Sequence, residues 1–193
     1  MLLQDSGSGS RPSGRARSGI PVGGDGSAGS GHPKLAPMTH DLIGLPAFTC
    51  IGLEAEGPLA TCHGWVPKLW AEFVRRSSEI GHLEGSGVWG LMSDPALHLA
   101  PWCGETGKYL AGKAVPRGTS GFGDWRTWEV PASCWMRIPC RMDQYEEAME
   151  HMRIFARESV EWRREGALHE FYPDDFKDPE GDTLFLMAPL VPR

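Results

Sequence analysis

Apolar residues in the first half of the chain predict a strand, a helix and two further strands, in that order. A run rich in β-branched and aromatic residues predicts a strand at 45–55. Apolar residues then recur at helical spacing over 66–80. Two more apolar runs predict strands at 87–92 and 108–116, and the residues between them are rich enough in proline and glycine to form a loop.

The second half of the chain repeats this order. Residues 133–140 predict a strand, and a helix follows, with Asp143 as its N-cap and an end at about Arg164. Residues 167–172 predict the next strand. The last strand is predicted at 182–191, where a nearly continuous apolar run is typical of an interior position.

Matching dipeptides mark the two halves as copies of one unit. Pro46-Ala47 near the start of the first half corresponds to Pro131-Ala132 in the second, and Val115-Pro116 corresponds to Val191-Pro192. The shared unit is strand, helix, strand, strand. We therefore predict an α+β protein with two units related by a pseudo-twofold axis, a largely antiparallel sheet and two main helices. The seam between the copies is the natural place for a ligand cleft.

Residues 1–37 differ from the rest in composition. They hold 9 of the 25 glycines together with seven serines and four prolines, and they contain no aromatic residue. Such a segment cannot bury enough apolar surface to offset the entropy lost on ordering. We therefore predict a disordered tail at 1–37 and one folded domain at 38–193.

Charge and cysteine content narrow the function classes. The chain has 19 Lys and Arg against 25 Asp and Glu, a formal net charge of -6, which argues against a basic nucleic-acid-binding surface. No apolar run approaches the ~20 residues of a membrane span, and the first residues lack the apolar stretch of a secretory signal. Five cysteines without a regular framework fit a reducing compartment. We expect a cytoplasmic protein that contacts neither nucleic acid nor membrane directly.

No residue spacing indicates a metal or a cofactor. Cys134 and Cys140 are too far apart for a Cys-x-x-Cys zinc motif. The glycine-rich segments lack the Lys-Ser/Thr pair of a phosphate-binding loop. The acidic turn at 174–182 does not have the spacing of an EF-hand. We therefore predict no metal site and no cofactor.

Three features of residues 42–193 resemble the GyrI-like, or bacterial effector-binding, domain family. They are the two Pro-Ala strand openings, the Tyr109–Val115 strand, and the Leu168–Tyr172 strand with the acidic turn and closing strand that follow it. This family binds small molecules, attached to transcription regulators or as a single domain. The chain departs from the pattern at Leu168-His169, where the family has an aromatic residue before the glutamate, and in its many tryptophans.

The resemblance implies a role for Glu170 and Tyr109. Family members place this glutamate at the floor of the ligand cleft, where it pairs with a cationic aromatic ligand or acts as a general base. The Tyr109 hydroxyl would donate a hydrogen bond to a ligand or share a water with Glu170. Without the resemblance, the residues alone favour a solvent-facing Glu170, and a core Tyr109 with a satisfied hydroxyl is about equally consistent with them.

Aromatic residues near the predicted cleft are the candidate walls for a flat ligand. Trp89 appears at the place in the first repeat that Glu170 occupies in the second, so it is the best stacking candidate. Trp65, Trp128 and Tyr172 are further candidates, by stacking or cation–π contact. The alternative for each tryptophan is an ordinary core position.

Three functions are consistent with these residues. The first is a domain that binds hydrophobic, planar and often cationic small molecules for sensing, sequestration or detoxification. The second is a hydrolase that opens the cyclopropane ring of DNA-alkylating natural products, with Glu170 as general base and Tyr109 as its helper. The third is a role with a protein partner, such as gyrase inhibition.

Overall fold

A computed structural model describes residues 38–178 and 180–193. The tail predicted at 1–37 lies outside the described residues. The described residues form one compact unit.

Nine strands and two α-helices are found within the described residues. The strands are β1 (Asp41–Leu45), β2 (Phe48–Pro58), β3 (Val88–Ser93), β4 (Thr106–Val115), β5 (Arg126–Val130), β6 (Ser133–Cys140), β7 (Trp162–Arg164), β8 (His169–Tyr172) and β9 (Leu184–Pro192). The helices are α1 (Cys62–Arg76), between β2 and β3, and α2 (Tyr145–Glu158), between β6 and β7. No helix in these ranges is long and apolar enough to cross a membrane.

The strands form one antiparallel sheet in the order β1-β6-β9-β8-β3-β4-β2-β5, with β7 pairing with β9. The centre of this order is the β8–β3 pair, and matching strands of the two repeats lie at matching distances on either side. The predicted α+β class, with duplicated units and a largely antiparallel sheet, is confirmed.

Each repeat donates its first strand to the other. β1 leads into β2 but pairs with β6, and β5 leads into β6 but pairs with β2. The Pro-Ala dipeptides are therefore not strand openings: Pro46-Ala47 and Pro131-Ala132 are the corners where the chain leaves one strand pair and enters another. Proline suits such a corner because it has no N–H to give to a strand ladder.

The exchange forces the sheet to curve. β1 is first in the strand order and β2 is seventh, yet only two residues join them. Two linking residues hold Leu45 and Phe48 within about 11 Å of each other, so the two ends of the sheet approach. The rings of Trp89 on β3 and Trp135 on β6 also lie only 6.1 Å apart across two intervening strands. We call the face that carries these rings the concave face.

Both helices cover the opposite face, which we call the helix face. α1 packs over a cluster that includes Ile51, Leu53 and Tyr109, and α2 packs over a cluster that includes Met136 and Leu186. Because side chains alternate along a strand, the neighbours of these residues belong to the concave face. Cys50, Leu110, Trp135 and Met187, together with Trp89, form the core there.

Two predicted helix boundaries were wrong, and two strands were not predicted. α1 begins at Cys62, four residues before the predicted start, so Pro67 lies inside the helix and not at its first turn. α2 ends at Glu158, and the predicted helical end at 162–164 instead forms β7, which pairs with the last residues of β9. β1 and β5 were not predicted, because they are short and carry charged residues at their ends.

Candidate functional site

Glu170 lies at the centre of the sheet, on the helix face of β8. Its cross-strand partner is Gly90 of β3, so the glutamate stands where the two repeats meet. The side chain is 7% exposed. A buried acidic side chain at a symmetry seam needs hydrogen-bond donors, and the surrounding elements supply them.

Three tyrosine hydroxyls donate hydrogen bonds to the Glu170 carboxylate. Tyr145 Oη lies 2.7 Å from Oε1, Tyr172 Oη lies 3.0 Å from Oε2, and Tyr109 Oη also donates to Oε2. The chain has 3 tyrosines in total, so every one of them binds this carboxylate. They come from β4, the first residue of α2 and the end of β8, so both repeats build the site.

Trp70 of α1 closes the site from the side of the first repeat. Its indole Nε1 donates to Tyr109 Oη at 3.0 Å, which directs the Tyr109 proton toward Glu170. The Trp70 ring also meets the edge of Tyr172 at 4.8 Å between ring centroids. An aromatic ring therefore covers two of the three hydroxyls that bind the carboxylate.

Gly90 leaves the space that this hydrogen-bond cluster occupies. A Cβ at this position would lie 1.9 Å from Tyr109 Oη and 2.6 Å from Glu170 Oε2. No real Cβ approaches other atoms so closely. The strand opposite Glu170 must therefore carry a residue without a side chain.

Burial sets the electrostatics of the cluster. It raises the pKa of Tyr109, Tyr145 and Tyr172 well above the ordinary value for a phenol, and the negative charge of Glu170 raises each of them further. Burial also raises the pKa of Cys140 to about 11, again with a smaller contribution from Glu170. The three phenols are therefore fixed as neutral donors at physiological pH.

No basic side chain in the described ranges forms an ion pair with Glu170. Its recorded partners are the three neutral hydroxyls. The carboxyl group is therefore bound by hydroxyl donors and has no basic partner among the described residues.

The structure brings together half of the predicted site residues. Glu170, Tyr109 and Tyr172 are in direct contact, as expected. Trp65 packs against the same core cluster as Tyr109, but its indole nitrogen donates to the Pro58 carbonyl at the end of β2. Trp89 and Trp128 lie on the concave face, on the other side of the sheet from Glu170.

The positional match between Trp89 and Glu170 was wrong. The β3–β8 register pairs Glu170 with Gly90 and pairs Trp89 with Phe171. A shift of one residue along a strand moves a side chain to the other face. Trp128 pairs with Cys50 across the β5–β2 ladder on the concave face, and its indole Nε1 donates to Glu54 Oε2 at 2.7 Å.

Two residues of the cluster were missed as site residues. Both lie at helical spacing among apolar residues, a pattern that predicts ordinary core positions for Tyr145 on α2 and Trp70 on α1. One signal was available: two of only 3 tyrosines were already candidates, so the third deserved the same consideration.

In the part of the chain that the structure describes, no group of three or more His, Cys, Asp or Glu side chains is placed to hold a metal ion.

The sequence matches no protein-family model and no curated protein. The structure, in contrast, resembles several solved structures. An integron cassette protein from the mobile metagenome of Vibrio cholerae has a TM-score of 0.52 and 12% identity, over 79% of this chain and 95% of that chain.

Two further solved structures are similar over most of both chains. SAV2435 bound to tetraphenylphosphonium has a TM-score of 0.57 and 15% identity, over 80% of this chain and 94% of that chain. The EcmrR C-terminal domain has a TM-score of 0.58 and 12% identity, over 80% of this chain and 98% of that chain. The chain has the GyrI-like, effector-binding fold that the sequence resemblance implied.

Proposed function

We propose that this domain binds apolar aromatic cations at the seam between the two repeats, with Glu170 as the counter-charge. The observation that supports this most directly is the buried Glu170 carboxylate, which is solvated by three neutral hydroxyls and lacks a basic partner among the described residues. A cationic ligand would supply the missing positive charge. Neutralising a buried charge with a well-placed partner is favourable, whereas leaving it unpaired is costly.

The aromatic residues of the cluster support the same ligand class. Trp70 donates to Tyr109 and contacts the Tyr172 ring beside the carboxylate, and an aromatic face attracts a cation by cation–π interaction. Glu170 is only 7% exposed, so a ligand reaches it by displacing part of this cover. Trp70 and Tyr172 would then become walls of the opened site. SAV2435, which shares the fold, has been solved with the apolar cation tetraphenylphosphonium bound.

The first test is the affinity for tetraphenylphosphonium, measured by calorimetry. Glu170→Gln keeps the size of the side chain and removes its charge, so we expect roughly a tenfold or larger loss of affinity. Tetraphenylborate, an anion of the same shape, should bind the wild type poorly. Glu170→Gln should largely abolish this discrimination between the two ions.

Glu150→Gln is the matched control for net charge. Glu150 lies exposed on α2 and pairs with Arg153, so its substitution changes the net charge by the same amount at a residue outside the cluster. We expect wild-type affinity for tetraphenylphosphonium in this variant. The proposal is wrong if Glu170→Gln binds the cation as tightly as Glu150→Gln does.

Hydrolysis is a second candidate function, and one feature of Glu170 favours it. Oε2 accepts two hydroxyls, but Oε1 accepts only one among the described residues. Each carboxylate oxygen has two acceptor positions, so Oε1 keeps one that a water would fill once a ligand opens the site. As a general base, Glu170 would take a proton from that water while the water oxygen bonds to a ring carbon of a bound cyclopropane. The carbon–carbon bond of the ring breaks, and its electron pair passes into the conjugated system of the ligand, which then takes up a proton. Tyr109 would polarise the ligand.

Mass spectrometry separates hydrolysis from binding. A cyclopropane-bearing alkylator released with one added water, and left unchanged by Glu170→Gln, would support the hydrolase. A ligand that is retained and recovered unchanged would exclude hydrolysis of that compound and leave binding as the function. The role with a protein partner stays a prediction from the resemblance.

A further inference from the structure

A cavity of about 350 Å³ lies on the concave face of the sheet, away from the Glu170 cluster. Side chains of β1, β3, β4, β6, β8 and β9 line it, together with residues at the β1–β2 corner. The main contributors are Leu45, Phe48, Trp89, Arg137, Phe171 and Met187. Its size is within the range of small-molecule sites, and the curved sheet encloses it as the mouth of a barrel would.

Three aromatic rings form one wall of this cavity. Trp89 lies between Phe48 and Phe171, with ring centroids 5.0 Å away on each side. The interplanar angles are 40° and 54°, so the rings line a curved surface and do not stack on one another. A ligand ring can therefore contact more than one of them at once.

Arg137 supplies the only basic group in the lining. Its Nε is buried and has no hydrogen-bond partner among the described residues. The other unpartnered buried side-chain nitrogen in those residues is Trp135 Nε1, two positions earlier on β6 and therefore on the same face of the strand. Buried donors normally find an acceptor, so an unpartnered Nε–H at a cavity indicates where a ligand oxygen would bind.

The charge at Arg137 is only partly neutralised. Its Nη2 donates to Asp41 Oδ2 at 2.8 Å, but the Asp41 side chain is 59% exposed and lies toward solvent. The guanidinium plane lies over the Phe185 ring at 5.0 Å, which holds it in place. A fixed guanidinium with a free Nε–H fits the oxygens of a carboxylate.

We propose that the concave cavity is a second binding site, which takes aromatic molecules carrying a carboxylate. The ligand ring would contact Phe48, Trp89 and Phe171, and the carboxylate would accept from Arg137 Nε. This site prefers anionic ligands, whereas the site proposed at the seam prefers cationic ones. The two sites lie on opposite faces of the sheet. It does not depend on the function proposed for Glu170.

The test compares 2-naphthoate with 2-naphthylmethylammonium by calorimetry on the full chain. We expect the wild type to bind the carboxylate and to discriminate against the cation. Arg137→Leu should weaken 2-naphthoate binding about tenfold. Asp41→Asn should strengthen it, because it removes a competing acceptor and a repelling charge without altering the apolar walls.

Ala114→Leu tests whether the cavity itself is the site. Ala114 lines the cavity, and a larger side chain there would fill part of it, so 2-naphthoate binding should be lost while thermal unfolding stays cooperative. Arg153→Leu removes one exposed positive charge on α2 and should leave the affinity at the wild-type value. Tetraphenylphosphonium should not displace 2-naphthoate.

Three results would overturn the proposal. The first is no binding of 2-naphthoate to the wild type. The second is equal affinity in Arg137→Leu and Arg153→Leu. The third is weaker binding in Asp41→Asn, since a merely structural Arg137–Asp41 pair predicts that direction whereas a carboxylate site predicts the reverse. The third result remains informative if Ala114→Leu or Arg137→Leu fails to fold.

Discussion

Acidification from pH 7 to pH 4 is expected to remove about 3 kcal/mol of unfolding free energy through His169 alone. His169 is 1% exposed, next to Glu170 on β8. Its Nδ1 accepts the Met92 backbone N–H at 3.1 Å, which places the ring proton on Nε2. Burial, with a smaller contribution from the nearby His98, lowers the pKa of His169 to about 3. The folded protein therefore disfavours protonation of the neutral His169 ring at Nδ1.

The direction of the effect follows from which state binds that proton. An unfolded histidine titrates near pH 6.5, so between pH 6.5 and pH 3 the unfolded chain is protonated at this residue and the folded chain is not. The stability contribution of the neutral ring is complete above pH 6.5. It is lost as the pH falls toward 3, because protonation favours the unfolded state.

Denaturant titrations of the wild type and His169→Gln at a series of pH values measure this contribution. The glutamine amide oxygen can still accept from Met92, but the residue does not titrate. Other groups also destabilise the fold in acid, such as Glu79 and Asp124, whose pKa values are held at about 2 by hydrogen bonds from Arg76. These effects are present in both proteins and cancel in the difference. Parallel pH profiles would contradict the prediction.

The main strands and both helices were predictable because their local patterns agree with their final environment. The closing strand β9 is a continuous apolar run because it lies inside the sheet with neighbours on both sides. The exchanged strands β1 and β5 were not predictable. Each is five residues long, and its pairing partner lies in the other repeat. No local signal in the sequence specifies such a long-range pairing.

The site was predictable only in part, and the errors have separate physical causes. Glu170 and Tyr109 followed from a strand pattern that resembles a family. The prediction that Trp89 shares a sheet face with Glu170 was wrong, because an error of one residue in matching the two repeats moves a side chain to the other face. Tyr145 was not identified as a site residue because the apolar spacing of α2 does not distinguish a core ring from one whose hydroxyl reaches a buried carboxylate.

The exchange of strands also explains why this fold has two chemically different faces. Both helices cover one face, and the seam on that face places a carboxylate among hydroxyls. The curvature that brings β1 close to β2 encloses apolar rings on the other face, with Arg137 at the edge of the enclosed space. One sheet thus presents an acidic centre on one side and a basic group on the other.

Gly90→Ala is expected to lower the free energy of unfolding by about 2–3 kcal/mol and to impair binding at the seam. The new Cβ would lie 1.9 Å from Tyr109 Oη, 2.7 Å from Tyr109 Cζ and 2.6 Å from Glu170 Oε2. Tyr109 is fully buried, so its ring cannot rotate into solvent to relieve the contact. Either the strands separate or the Tyr109–Glu170 hydrogen bond breaks, and both outcomes weaken tetraphenylphosphonium binding.

Gly44→Ala is the matched control. Gly44 also lies in a strand, but a Cβ there would meet no atom within 4 Å, so we expect a change of less than about 0.5 kcal/mol. Denaturant titration measures the stability of both variants, and calorimetry measures their affinity for tetraphenylphosphonium. Similar stability and affinity in the two variants would contradict the role given to Gly90.

A double variant identifies the clash as the cause. Tyr109→Phe removes the hydroxyl that the new Cβ meets first, so Gly90→Ala should cost less in the Tyr109→Phe background than in the wild type, by about 1 kcal/mol or more. Affinity should not recover in the double variant, because the hydrogen bond from Tyr109 to Glu170 is absent. A double variant with partly restored stability and impaired binding would show that Gly90 and the Tyr109 hydroxyl meet separate structural requirements at the seam. The opposing strand must leave space for the cluster, and the hydroxyl must fill that space.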